Sequence, residues 1–163
     1  MILKGKVWKF GDEIDTDIIA PMLYRDQTPD EYKKHIMEPI RPDFYNLINE
    51  GDLIFAGEGF GMGSSRGHAV VALKKAGIKA IVASSFARIF YRSAINEGLL
   101  VIESREAFVK TEEGDIVQID LLSGTIKNET KSQEFFFNPF PDSVRKIIMA
   151  GGGIAYYKSK QYE

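Results

Sequence analysis

The chain has 163 residues, 44% hydrophobic and 27% charged, with a formal net charge of -2. That length supports a core of its own, and the near-neutral, slightly acidic balance gives no electrostatic basis for binding nucleic acid or an anionic membrane surface. No apolar run approaches the ~20 residues that span a bilayer. There is no cysteine and there are only two histidines, His35 and His68, so disulfides, thiol nucleophiles, a thiolate-held cluster and a self-contained zinc site are not expected of this chain. The N-terminus interrupts its apolar residues with lysines and then turns acidic, unlike a signal peptide, and a soluble cytoplasmic protein is the expectation.

In chain order, Lys6 to Phe10 reads as a short β-strand around Val7, Trp8 and Phe10, with Trp8 in the core. Asp15-Thr16-Asp17 forms a polar turn before Ile18 and Ile19. Residues 20–42 hold four of the six prolines, Pro21, Pro29, Pro39 and Pro42, and read mostly as loop. One short helix is expected over Asp30 to Met37, started by Thr28-Pro29-Asp30-Glu31: a cap, a proline in the first turn, then acids at the positive helix end. A connection this long is usually functional or mobile. Phe44 to Asn49 predicts a short helix.

Asp52 to Glu58 predicts a buried strand. A glycine-dense turn follows, then apolar residues at helical spacing from Ala69 to Ala76, closed by Gly77. Ile78 to Ser84 is a strand. A second helix, Phe86 to Asn96, is capped by Ser85 and closed by Gly98, and Leu99 to Glu103 is a further strand. This order predicts a parallel sheet with crossover helices. Ile116 to Leu122 and Thr125 to Glu129 flank Ser123-Gly124, a hairpin signal, and Gln133 to Phe137 adds a strand. Asp142 to Ala150 is a helix capped by Asp142 or Ser143. The polar tail from Tyr156 reads as loosely held. The fold class is α/β, a mostly parallel central sheet with flanking helices and an added β-hairpin.

The chemistry concentrates in residues 57–69, GEGFGMGSSRGHA. Alternating glycines, among them Gly61 and Gly63, let the backbone bend and approach a ligand closely. They lead to a helix N-terminus, whose free N–H groups and dipole favour an anion. Ser64, Ser65 and Arg66 add hydroxyls and a guanidinium fork suited to a carboxylate or phosphate. The same residues also fit a plain capped helix behind a flexible loop. The spacing matches neither a P-loop nor a Rossmann fingerprint.

GMGSSRGHA, followed by AGIKAIVASSFARIF and NEGLL, resembles the swivelling domain of the aconitase superfamily. With the early KVWKFGDEIDTDII, the chain is similar to the separately encoded small subunits of 3-isopropylmalate dehydratase and archaeal homoaconitase. The likeness is strongest over residues 4–104, and it implies one swivelling domain over residues 1–163. It implies a hydro-lyase that removes water from a hydroxy acid and restores it at the neighbouring carbon, active only with a large subunit that carries a 4Fe-4S cluster. Ser64 would be the base taking the carbon-bound proton, and Arg66 would hold a substrate carboxylate and favour ionised serine. Ser65 would add a hydrogen bond, Asp17 and His68 would support the site, and Gly61 and Gly63 would shape the loop. No cofactor is expected on this chain alone, which is expected to be inactive and to self-associate when isolated.

Two departures stand out. The family pattern has Cys where this chain has Met62, and Glu where it has Gly67. The second removes a carboxylate from the helix start and lowers helix propensity by ~1 kcal/mol. In the family the segment after the Asp-Thr-Asp turn reads the substrate's variable group; here it includes Met22, Leu23, Tyr24 and Arg25. Met22 and Leu23 suit an isopropyl group, as in isopropylmalate and leucine biosynthesis. Arg25 suits a third carboxylate, as in homocitrate, or is a solvated loop residue. A scaffold that keeps the fold without catalysis is the remaining alternative. Of the other residues, Arg88 is read as bracing the fold, and Arg92 and His35 as surface. Phe135, Phe136, Phe137 and Phe140 are read as core or interface.

Overall fold

The structure is a computed structural model that describes residues 1–63 and 67–161. Its frame is one seven-stranded sheet. The strands in chain order are β1 (Ile2–Lys9), β2 (Leu53–Ala56), β3 (Ala80–Ala83), β4 (Leu100–Glu103), β5 (Ile116–Asp120), β6 (Thr125–Asn128) and β7 (Gln133–Phe136). Their spatial order is β4-β3-β2-β1-β5-β6-β7.

Strand β1 joins two kinds of pairing. On one side β1, β2, β3 and β4 run parallel, with Trp8 opposite Ile54, Phe55 opposite Val82 and Val82 opposite Ile102. On the other, β5 pairs antiparallel with β1, and β6 and β7 continue antiparallel. The residues dictate the difference. Every residue of β2 and β3 is buried, as unbroken apolar runs covered on both faces require. In β5 burial alternates, with Val117 and Ile119 inward, the pattern of a strand with one wet face.

The helices are α1 (Thr16–Ile19), α2 (Pro29–Tyr32), α3 (Phe44–Leu47), α4 (His68–Ala76), α5 (Arg88–Glu97), α6 (Arg105–Lys110), α7 (Asp142–Met149) and α8 (Gly153–Lys160). Helix α4 buries Ala69, Val70, Ala72 and Leu73, and Gly77 ends it as read. Each large apolar side chain so buried contributes roughly 1.5–3 kcal/mol. Among the described residues, no helix is long and apolar enough to cross a membrane.

Four expectations are corrected. Helix α5 starts at Arg88, and its N-cap is Ala87; Ser85 is not its cap, because its hydroxyl accepts from the Gly59 N–H at 2.9 Å. Helix α7 gains no side-chain cap, with Pro141 at that position. Much of the tail is helical: α8 packs on α5 and α7, and its polar sequence disguised a helix that rests on neighbours rather than on a buried stripe. Residues 20–42 carry more order than a loop, with 3-10 turns at Met22–Tyr24 and Lys33–His35 around α2, and Tyr32, Ile36 and Met37 in the core.

Trp8 is buried as read, edge-on to Phe44 at 5.4 Å. Its indole N–H donates to Asp52 Oδ2 at 2.8 Å, and the same oxygen accepts the Asn49 N–H at 2.9 Å. Asp52→Ala leaves both donors without that acceptor, so a loss of about 2 kcal/mol is expected. A lower urea midpoint at unchanged slope is the check; an unmoved midpoint would count against this anchor.

Candidate active site

The carboxyl ends of parallel strands are where open α/β sheets place ligands. Here the chain leaving β2, residues 57–63, is clamped between the chains leaving β1 and β3. On the β1 side, Gly57 N–H donates to Gly11 O at 2.9 Å, Glu13 N–H to Glu58 O at 2.7 Å, and Gly61 N–H to Ile14 O at 2.8 Å. Thr16 N–H then donates to Met62 O at 2.7 Å. On the β3 side, Phe60 N–H donates to Ser85 O at 3.1 Å and Ala87 N–H to Phe60 O at 2.9 Å. The Phe60 ring is edge-on to both Phe86 and Phe90. The Asp15-Thr16-Asp17 and Ser85-Phe86-Ala87 stretches, far apart in sequence, thus flank one glycine loop.

Gly61 and Gly63 carry the bend. Their φ values are 83° and 106°, in the region that side chains disfavour. A Cβ on Gly61 would fall 2.1 Å from Phe90 Cγ, and one on Gly63 would fall 3.0 Å from Thr16 Oγ1. The sequence reading named both, and close packing is the reason.

Ser64, Ser65 and Arg66, the catalytic pair and its neighbour in the sequence reading, lie outside the described residues. Their flanks are placed. Gly63 abuts Thr16, and Gly67 is the N-cap of α4 with φ -69° and ψ 1°. This corrects the propensity penalty, because glycine is accepted at a cap and the helix interior begins after it. Among the described residues, nothing lies within 4 Å of where a Gly67 Cβ would stand. Gly67→Glu is therefore expected to fold normally, with Tm within about 2 °C of the parent; a larger drop in a thermal melt would contradict the open geometry.

Beside the start of α4 lies an open cleft of about 400 Å³. Arg25 and Gln27 line it from the loop, Gly67 and His68 from the helix, and Pro29, Tyr32, Val71 and Ala72 complete its walls. Tyr32 donates its hydroxyl to Ala20 O at 2.8 Å and sits edge-on to His68 at 6.0 Å. Burial pushes the Tyr32 phenol pKa up, and the Asp17 carboxylate adds to this. Asp17 also accepts the Met22 N–H at 2.9 Å, so it ties the start of the loop to α1. Asp15 caps that helix through the Ile18 N–H at 2.8 Å.

Of the residues read from sequence, Arg25 and His68 line this cleft, while Gly61 and Gly63 lie in the clamped loop. Arg25 is exposed, and its ion pair is with its neighbour Asp26 at 3.7 Å. Tyr24 points elsewhere: its ring stacks on His35 at 3.5 Å, and the Glu38 carboxylate nearby pushes its phenol pKa up. His35, read as surface, is half-buried and paired with Glu38 at 3.1 Å. Arg88 is exposed and makes no ion pair among the described residues, which corrects its bracing role; it lies with Arg92 at a shallow cleft beside Tyr91 and Glu103. Sequence reasoning missed Tyr32, Val71 and Ala72 as cleft residues. The four-residue step from Thr28 to Tyr32 and the apolar face of α4 were the available signals.

Residues 16–107 match the family model for the aconitase C-terminal domain, and the chain belongs to that family. A crystal structure of 3-isopropylmalate dehydratase from Methanocaldococcus jannaschii superposes with a TM-score of 0.93 at 45% identity, covering 99% of this chain and 96% of that one. Within the family the chain groups with 3-isopropylmalate dehydratase small subunits. The one from Caldanaerobacter subterraneus subsp. tengcongensis is 50% identical over 97% of this chain and 99% of its own length. Small subunit 1 from Archaeoglobus fulgidus is 47% identical over 95% and 96%.

Proposed function

We propose that this chain is the small subunit of a 3-isopropylmalate dehydratase, a hydro-lyase that interconverts 2- and 3-isopropylmalate through loss and return of water, in leucine biosynthesis. The observation that carries the reading is the clamped Gly61–Gly63 bend, which leads the chain into Ser64, Ser65 and Arg66 and then the start of α4.

The chain has no cysteine, so it offers no thiolate to a 4Fe-4S cluster, in keeping with a cluster held by a large-subunit partner. When bound there, the cluster supplies Lewis acidity to the departing hydroxyl. This chain's share is the proton. Ser64 removes the hydrogen from the carbon next to the hydroxyl-bearing one; the C–H electron pair becomes the double bond as the hydroxyl leaves. Readdition of water reverses the roles, with Ser64 returning a proton. A serine hydroxyl is too weak an acid to be ionised near neutrality, so Arg66 and the positive end of α4 lower that cost. Arg66 also holds a substrate carboxylate in a two-pronged grip, Ser65 adds a hydrogen bond, and Asp17 and His68 support the two sides of the site.

Segment 20–42 reads the substrate's side group, which the apolar wall of Val71 and Ala72 suits when that group is isopropyl. Arg25 in the same cleft favours one alternative, a side group bearing a carboxylate, as in homocitrate. The test is the chain assembled with its cluster-bearing partner and offered a panel of hydroxy di- and tricarboxylates. Turnover of isopropylmalate is expected; failure on it together with turnover of homocitrate overturns the assignment.

A further inference from the structure

Tyr24 stands directly before Arg25, yet its side chain is turned away from the cleft. The ring lies flat on His35, 3.5 Å between centroids and 10° between planes. The nearby Glu38 carboxylate makes the phenol hold its proton more tightly than usual. Glu38 Oε2 also lies 3.1 Å from His35 Nδ1. The three side chains form one cluster, with His35 stacked on Tyr24 and held in turn by the Glu38 carboxylate.

The base of this cluster is anchored in the core and its tip is exposed. Ile36 and Met37, between His35 and Glu38, are buried in the core. Met37 N–H donates to Ile19 O at 3.0 Å, and Met37 holds φ at 57°, a bend that only firm surroundings impose on such a side chain. The tip, residues 23 and 25–27, is exposed. Tyr24 connects them: its carbonyl accepts the Gln27 N–H at 3.0 Å, and Arg25 follows it in the chain. Arg25 and Gln27 are the two residues that the tip contributes to the cleft.

We infer that Glu38 and His35 are positioning residues that hold Tyr24, and through it Arg25 and Gln27, against the cleft, and so set which substrate side group is accepted. The inference rests on the function proposed above. The assembled two-subunit complex tests it through two readouts, amide hydrogen exchange over residues 22–28 and kinetics on isopropylmalate and homocitrate. Glu38→Ala is expected to speed exchange there about tenfold and to raise KM about tenfold, with kcat within about threefold. The ratio of kcat/KM between the two acids shifts with it. His35→Phe, which keeps a ring for Tyr24 to stack on, retains more of the parent KM than His35→Ala. Parent-like exchange and KM in Glu38→Ala overturn the inference. If that variant fails to fold, Tyr24→Ala removes the ring that His35 holds, and the parent exchange and KM in it overturn the inference equally. If the parent complex turns over neither acid, that failure counts against the proposed function, and the exchange readout alone decides the role of Glu38.

Discussion

Ser64→Ala lowers kcat of the assembled complex by about 1,000-fold while KM stays within a few-fold. The expectation follows from the division of labour. A positioned proton acceptor contributes ~100- to 10,000-fold, and a group that acts mainly in the transition state takes kcat with it when removed. Substrate contacts from Arg66, Ser65 and the cleft remain, so binding is largely retained. A scaffold that only preserves the fold makes the opposite prediction, because a serine-to-alanine change in an idle loop leaves turnover intact. Steady-state kinetics on the complex separates the two.

Gly61→Ala is the largest expected structural effect. The added methyl would fall 2.1 Å from Phe90 Cγ and 2.5 Å from Phe90 Cβ, at a φ of 83°. The left-handed backbone costs ~1–2 kcal/mol with a side chain, and overpacking a tight core adds ~1–3. A loss of about 3 kcal/mol, or roughly 10 °C in Tm, is expected. Phe90 cannot yield easily, being buried against Phe60 and stacked with Phe86. Gly67→Ala, with no described atom within 4 Å, loses only the cap preference for glycine and is the control, with a clearly smaller shift of the melt. Equal melts for the two variants would mean that the loop does not lean on α5.

The parallel half of the sheet and its two crossover helices were legible because their signals are local: unbroken apolar runs for β2 and β3, helical spacing closed by Gly77 and Gly98. The pairing of β1 with β5 was not, since Leu3 meets Ile119 across more than a hundred residues and neither strand names its partner. Helix α6 was missed although Ser104 accepts the Ala107 N–H at 3.3 Å as a cap; six residues give too short a periodic stretch. At the site, the glycine bend could be read because left-handed backbone and close packing select glycine. The Tyr24–His35–Glu38 cluster could not. The three-residue step from His35 to Glu38 is visible in the chain, but the turn that returns Tyr24 to them depends on the buried Ile36–Met37 anchor.

The most direct test of Ser64 as the proton-transferring group is solvent deuterium entering the substrate at the carbon next to the hydroxyl-bearing one, measured on the intact complex in heavy water. The parent complex should incorporate deuterium there, and Ser64→Ala should bind the substrate yet incorporate about 1,000-fold more slowly. Incorporation at the parent rate in Ser64→Ala would contradict the account and assign the proton to a group on the other subunit.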